Sequence, residues 1–257
     1  MISEAVWNNY RNALAKVSRV TQKKVSQAWA AIVNSGIADD YALELLTEVL
    51  NMGIEGGGLL SERLAGELYQ AMRQLYLPDE EYYALLPDMA QETANRVDKF
   101  MSEASASDVA SVDGETVKRF VDSLVSMYPR RTMELNAHRD KACKGFQVVP
   151  SGLHTCSFCT MQAGRGIIYD HDLKNMRQPY HANCHCQPIP IFKGLPDWFN
   201  ESHYSSIYHR AAEAYRSGNI PDDLRERIES EKAAKGKDYN DTNAIMAVMR
   251  YQNEGMK

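Results

Sequence analysis

Two short runs hold most of the chain's reactive side chains: His154-Thr155-Cys156-Ser157-Phe158-Cys159 and, beginning 21 residues past Cys159, Tyr180-His181-Ala182-Asn183-Cys184-His185-Cys186. They gather four of the five cysteines and three of the seven histidines. A C-x-x-C pair offers two thiolates from one tight turn, and a second Cys/His group at this distance can complete a tetrahedron around an ion. Soft sulfur and imidazole donors favour zinc or an iron–sulfur centre over magnesium or calcium. The preferred set is Cys156, Cys159, His181 and one of Cys184 or Cys186, holding a structural Zn²⁺. On an extended segment Cys184 and Cys186 lie on the same side, about 7 Å apart, so spacing does not choose between them. His185 should point the opposite way, and it stands with His154 as a substitute donor. The bland alternative is that these cysteines are buried apolar groups, but two such clusters within fifty residues rarely serve packing alone.

Catalytic metal chemistry asks for more than ligands. A catalytic zinc keeps one position open beside a carboxylate base. Residues 146 to 200 contain no glutamate, and their only acids are Asp170, Asp172 and Asp197. A nucleobase deaminase would need H-x-E ahead of P-C-x-x-C, which is absent here. Asp170-His171-Asp172 invites comparison with ββα-metal nucleases, which need further His or Asn ligands on a following helix. Asn175 and Asn183 are available, yet Pro179-Tyr180 interrupts a helix joining them, and the run reads as a charged loop. No G-x-S-x-G elbow occurs either.

The elements that must position these residues are mostly helical. Trp7, Tyr10, Leu14, Val17, Val25, Ala28 and Ile32, with Thr21 in the missing slot, step by three and four along a first long helix. Gly36 falls where a C-terminal cap belongs. Asp39 or Asp40 caps a second helix carrying Leu43, Leu46 and Leu50, which Gly53 and the Gly56-Gly57-Gly58 run should end. A third helix carries Leu60, Leu64, Leu68, Met72 and Leu75 before Pro78. Met89, Thr93, Val97 and Phe100 form another stripe, and residues 102–111, rich in Ser and Ala, read as frayed. Asp113 starts a helix with Val117, Phe120, Leu124 and Met127 inside. Pro129 should break or kink it before Met133, Leu135 and Ala142.

At Gly145 the pattern changes. Residues 146–150 read as a strand, residues 164–169 as a turn into another, and residues 186–192 as an edge strand where proline is tolerated. Some fifty residues are too few for a self-sufficient core, which a bound metal would supplement. Helices return over 203–216, from Pro221 to about 234, and over 242–251, with Ile245, Val248 and Met249 on the inner side of the last. The expected fold is α+β, mostly α. A helical domain spans 1–145, a zinc-stabilised β module 146–195 and a C-terminal helical region 196–257.

Charge narrows the partners. The net charge is −5, and residues 1–145 alone carry 16 basic and 21 acidic side chains. No basic stripe marks phosphate-backbone binding, so contact with DNA is at most incidental. The opening residues lack the pattern of a secretory signal, and no apolar run approaches the roughly 20 residues of a membrane span. A reducing cytoplasm is the expected setting, where clustered cysteines favour metal over disulfide. Cys143 stands apart and reads as a small buried side chain.

The order T-C-x-x-C, a Gly-containing turn (Gly164-Arg165-Gly166), then H-x-N-C-x-C running into Gln187-Pro188-Ile189-Pro190 resembles the Mu-F-like head morphogenesis, or minor capsid, proteins of tailed bacteriophages. The stretch from Asp241 to Arg250 is similar to the tails of such proteins in phages of actinobacteria. The motif covers about a fifth of the chain. The resemblance implies a minor head protein of the virion, in the capsid interior or at the portal vertex. Such a protein is found in the host cytoplasm during assembly and associates with portal, major capsid or scaffold protein. It also implies a non-enzymatic role for the zinc. The competing expectation is a metal-dependent hydrolase of the virion, either a capsid maturation protease or an HNH-like nuclease, with Asp170 or His171 beside an open coordination site. The residues in hand do not support a protease label.

Overall fold

A computed structural model of the protein describes residues 2–106, 112–150, 155–169 and 184–254. The fold is α+β and mostly α, with one small three-stranded sheet. Five helices come first: α1 (Glu4–Val33), α2 (Asp39–Tyr76), α3 (Ala90–Ala106), α4 (Gly114–Val125) and α5 (Met127–Arg139). Strand β1 (Gly145–Val149), helix α6 (Ser157–Gly164), and strands β2 (Ile168–Tyr169) and β3 (Gln187–Ile191) follow. Helices α7 (Glu201–Arg216), α8 (Asp222–Lys235) and α9 (Asp241–Glu254) complete the chain. The strand order is β2-β1-β3, which leaves β3, with Pro188 and Pro190, at an edge. By contact density the chain divides into two compact units, one chiefly Met1–Phe146 with Pro190–Pro196, the other chiefly Gln147–His181, His185–Ile189 and Asp197–Lys257.

In the first unit α2 is the spine, touching α1, α3, α4 and α5. Val25 and Trp29 from α1, Leu46, Leu50 and Ile54 from α2, Val97 and Met101 from α3, Val117, Val121 and Leu124 from α4, and Tyr128 from α5 form one buried cluster. Ser3 caps α1 by accepting from Val6 N, and Asp113 caps α4 by accepting from Thr116 N at 2.7 Å. The α1 stripe passes from Val25 to the fully buried Trp29, four residues on, and leaves Ala28 half-buried. The α1–α4 contact also has a polar tie: buried Ser18 and Gln22 Nε2 (2.9 Å) both donate to Asp122 Oδ1.

The glycines expected to end the second helix do not. Helix α2 runs unbroken for 38 residues and joins the second and third expected helices. A Cβ on Gly53 would lie 2.3 Å from Val25, on Gly57 2.4 Å from Thr21 Oγ1, and on Gly58 2.5 Å from the Tyr128 ring. These positions are small because α1 and α5 cross α2 there, so the glycines are packing residues and not stops. The second half of α2 turns Ala65, Leu68, Tyr69 and Met72 inward, while Leu60 and Leu75, expected in the inner stripe, are exposed. The expected break at Pro129 falls earlier, at Ser126, leaving Pro129 in the first turn of α5, where a missing N–H costs no intrahelical bond. Helix α5 ends at Arg139, so Ala142 lies beyond it in a turn.

Gly58→Ala should therefore destabilise the protein by about 1–3 kcal/mol, because the Tyr128 ring is pinned by the hydrogen bond of its hydroxyl to Thr93 (2.8 Å) and cannot step aside. Gly56→Ala, with nothing within 4 Å of the new methyl, should instead stabilise it by about 0.5–1 kcal/mol. Urea unfolding of the two variants against the parent checks both signs.

One buried acid adds a pH dependence. Glu62 on α2 is only 1% exposed, and its Oε2 finds no hydrogen-bond partner among the described residues. Burial, with the nearby Asp88 carboxylate, pushes its carboxyl up to about 7. A folded value raised above the unfolded one means that the folded state prefers the protonated form. Stability should fall as pH rises from about 4.5 to about 7 and level off above. Glu62→Gln should remove that fall, a difference on the order of 3 kcal/mol between pH 4 and pH 8. Parallel slopes of stability against pH in parent and variant would refute it.

The second unit is built around Ala211 and Ala212 of α7, Leu224 and Ile228 of α8, and Ala244, Ile245, Val248 and Met249 of α9. The last three are the residues whose spacing marked the inner face in the sequence. Helix α7 also packs on α6, and Asn200 caps it by accepting from His203 N at 3.1 Å.

Candidate metal centre

The C-x-x-C motif folds as the start of a helix. Cys156 takes extended dihedrals (φ −68°, ψ 160°) at the N-cap of α6, and its sulfur accepts from Cys159 N at 3.3 Å. Helix α6 is held on two sides. Buried Gln147 of β1 donates from Nε2 to Ala163 O at 3.1 Å. At Gly164 the backbone of Tyr204 and Ser205 on α7 comes so close that a Cβ would sit 2.5 Å from Ser205 N. This anchoring leaves Cys159 4% exposed, with Cys156 exposed at the helix mouth.

The second run delivers its cysteines by alternation. Cys184 and Cys186 are buried and His185 between them is exposed, as an extended lead-in to β3 requires. Buried Arg130 on α5 donates from its guanidinium to the carbonyl oxygen of Cys184 and so fixes the backbone of that residue. The result is three buried thiols, Cys159, Cys184 and Cys186, whose sulfur atoms all lie within 4.8 Å of one another.

That spacing fits a metal. Zinc–sulfur bonds of about 2.3 Å in a tetrahedron set neighbouring sulfurs about 3.8 Å apart. None of the five cysteines is disulfide-bonded. Three buried thiols in such proximity are poor company as thiolates unless a cation neutralises them, and their softness suits a thiophilic ion. The cluster could hold a metal, and it includes both later cysteines where the sequence asked for one. Cys156 lies outside the three. His181, His154, Asp170, His171, Asp172, Asn175 and Asn183 fall outside the described residues. Cys143 is elsewhere, its thiol donating to Gly145 O at 3.1 Å, and burial pushes its pKa up. Sequence reasoning missed α6 itself, and with it Gln147 and Arg130. No N-cap residue of the usual kind announces the helix, since Cys156 fills that place, and nothing in the local sequence separates Arg130 from its exposed-type neighbours.

Fold and site together define a mostly helical α+β protein with a buried three-cysteine cluster able to hold a metal, and no described helix is long and apolar enough to cross a membrane. Residues 1–214 match the VG15 protein family, a family of phage gene products, and the chain belongs to it. No curated protein and no solved structure matches the chain.

Proposed function

We propose that this phage protein is a minor capsid, or head morphogenesis, protein of the Mu-F-like kind, acting without chemistry of its own and pinned by a structural zinc. The observation that carries the reading is the joint occurrence of two things in one chain: membership of a phage family over residues 1–214, and the T-C-x-x-C, G-x-G, H-x-N-C-x-C order, three of whose four cysteines, Cys159, Cys184 and Cys186, meet at one buried point. Zinc would be held by Cys159, Cys184 and Cys186, with Cys156 or His181 as the further donor. Bound there, it would supply cross-linking free energy in place of apolar area, and a fourth protein donor would close the shell and leave no position for substrate. Gln147 and Arg130 keep the ligand-bearing backbone in register.

In this reading the protein joins the procapsid in the host cytoplasm. It contacts portal, major capsid or scaffold protein and is found in the capsid interior or at the portal vertex, with DNA contact incidental. Co-expression with the portal and major capsid proteins of the same phage tests it. Co-sedimentation with portal rings or procapsids, one zinc per chain and intact partner proteins are expected. A protein that ignores both assemblies, or that cleaves capsid protein or DNA in a metal-dependent way, overturns the reading.

A further inference from the structure

Helix α2 carries an outward face that no other described residue covers. Tyr41, Met52 and Leu59 are 55%, 61% and 52% exposed. They are eleven and seven residues apart, about three and two turns, and so share one side of the helix. Beside them runs a row of exposed carboxylates, Glu44, Glu48 and Glu55, at the same helical spacing. Residues 40–60 hold four acids, all exposed, and no lysine or arginine. One further residue lies on this face: Gly56, one turn after Met52 and one turn before Leu59. Unlike Gly53, Gly57 and Gly58, it meets nothing within 4 Å among the described residues, and no contact among them accounts for a residue that weakens a helix by roughly 1 kcal/mol relative to alanine. It makes a notch between two exposed apolar side chains, of the kind into which a partner's side chain inserts as a knob.

We infer that this face of α2 is a docking surface for an amphipathic helix of a partner protein, one with an apolar stripe flanked by Lys or Arg. The apolar row supplies the burial, the notch at Gly56 lets the partner's backbone approach, and the carboxylate row selects the sign of the flank. A second copy of this chain is the poorer occupant, because symmetry would set one carboxylate row against its duplicate in a unit already net negative. The inference goes beyond the head-assembly reading and is tested without any phage component, so the two stand or fall separately.

The probes are two synthetic helical peptides about five turns long with the same leucine stripe, one flanked by lysine and one by glutamate, titrated against the full-length protein by fluorescence anisotropy. The lysine peptide should bind at least roughly tenfold more tightly than the glutamate peptide, and the gap should narrow in high salt. Gly56→Leu and Met52→Asp, both at exposed positions, should each weaken the lysine peptide about tenfold or more with the helical circular dichroism unchanged. Glu48→Lys with Glu55→Lys should reverse the preference between the peptides. Equal binding of both peptides, binding of neither, or indifference to Gly56→Leu and Met52→Asp overturns the inference. So does a dimer in sedimentation that Met52→Asp dissolves, which would assign the face to a second copy.

Discussion

If the cysteine cluster holds the proposed structural zinc, Cys159→Ser should strip it and unfold the segment around the cluster, the largest effect expected of any single substitution in the chain. Cys159 is buried, and its sulfur is one of three within 4.8 Å. A serine hydroxyl cannot replace a thiolate for a soft ion, and two remaining cysteines close no tetrahedron without it. Structural zinc contributes on the order of 10 kcal/mol of folding free energy in small sites, against a total stability of about 5–15 kcal/mol for a typical domain, so its loss is not one the surrounding packing absorbs. Elemental analysis should fall from about one metal per chain to near none, and the thermal transition should drop or broaden into two. Cys143→Ser is the control, since that thiol donates to Gly145 O away from the cluster, and it should leave metal content unchanged. Full metal occupancy in Cys159→Ser would remove the site from consideration. A milder outcome is expected of Cys156→Ser, because serine is a favourable N-cap and preserves the acceptor that Cys159 N uses.

The same cluster shows where one-dimensional pattern is sufficient and where it stops. Cysteine spacing pointed to the two runs that supply the clustered sulfurs, but it asked for Cys156 and for one of Cys184 or Cys186, whereas the cluster holds both later cysteines and leaves Cys156 outside. Periodicity located α1, α4 and α9, Pro221 marked the start of α8, and the prolines placed β3 at an edge. What failed were inferences from residues with two physical uses. Glycine can end a helix or let another helix touch it, and only the positions of Thr21, Val25 and Tyr128 show that Gly53, Gly57 and Gly58 do the second. Leucine spacing likewise drew Leu60 and Leu75 into a core stripe, when the inward line of α2 is set by which neighbours lie beside it. Helix α6 was hidden because its eight residues are too few for a period to declare itself, and its start is a cysteine whose expected task was metal binding. Arg130 and Gln147 act through backbone carbonyls distant in sequence, and such partners are invisible until the chain is folded.

Asp140→Ala is expected to cost about 3–5 kcal/mol, the largest loss in the first unit, measured as a shift of the urea midpoint with unchanged slope. Asp140 follows α5 and is 5% exposed. Its Oδ2 accepts from Arg73 Nε at 2.8 Å and Tyr69 Oη at 3.2 Å, and its Oδ1 from Ala142 N at 3.0 Å. Removing it leaves a 7%-exposed guanidinium with Glu80, whose side chain is 60% exposed and already bonded to a different nitrogen at 2.8 Å. It also takes one of two acceptors from the buried Tyr69 phenol, leaving Asn136 O, and removes the acceptor of Ala142 N in the turn toward β1, where only the backbone bond from Cys143 N to Asp140 O remains. Asp140→Asn should cost less, because it keeps acceptors while surrendering the charge. The decisive comparison is the double variant Arg73→Met with Asp140→Leu, in which no buried charge is left unmatched. Its loss should be well below the sum of the two single losses, since most of each single loss is the desolvation of the abandoned partner and not the attraction itself. Additivity of the two would mean that Arg73 and Asp140 act on separate structures, and that the α2–α5 contact is held by Tyr69 and its apolar neighbours alone.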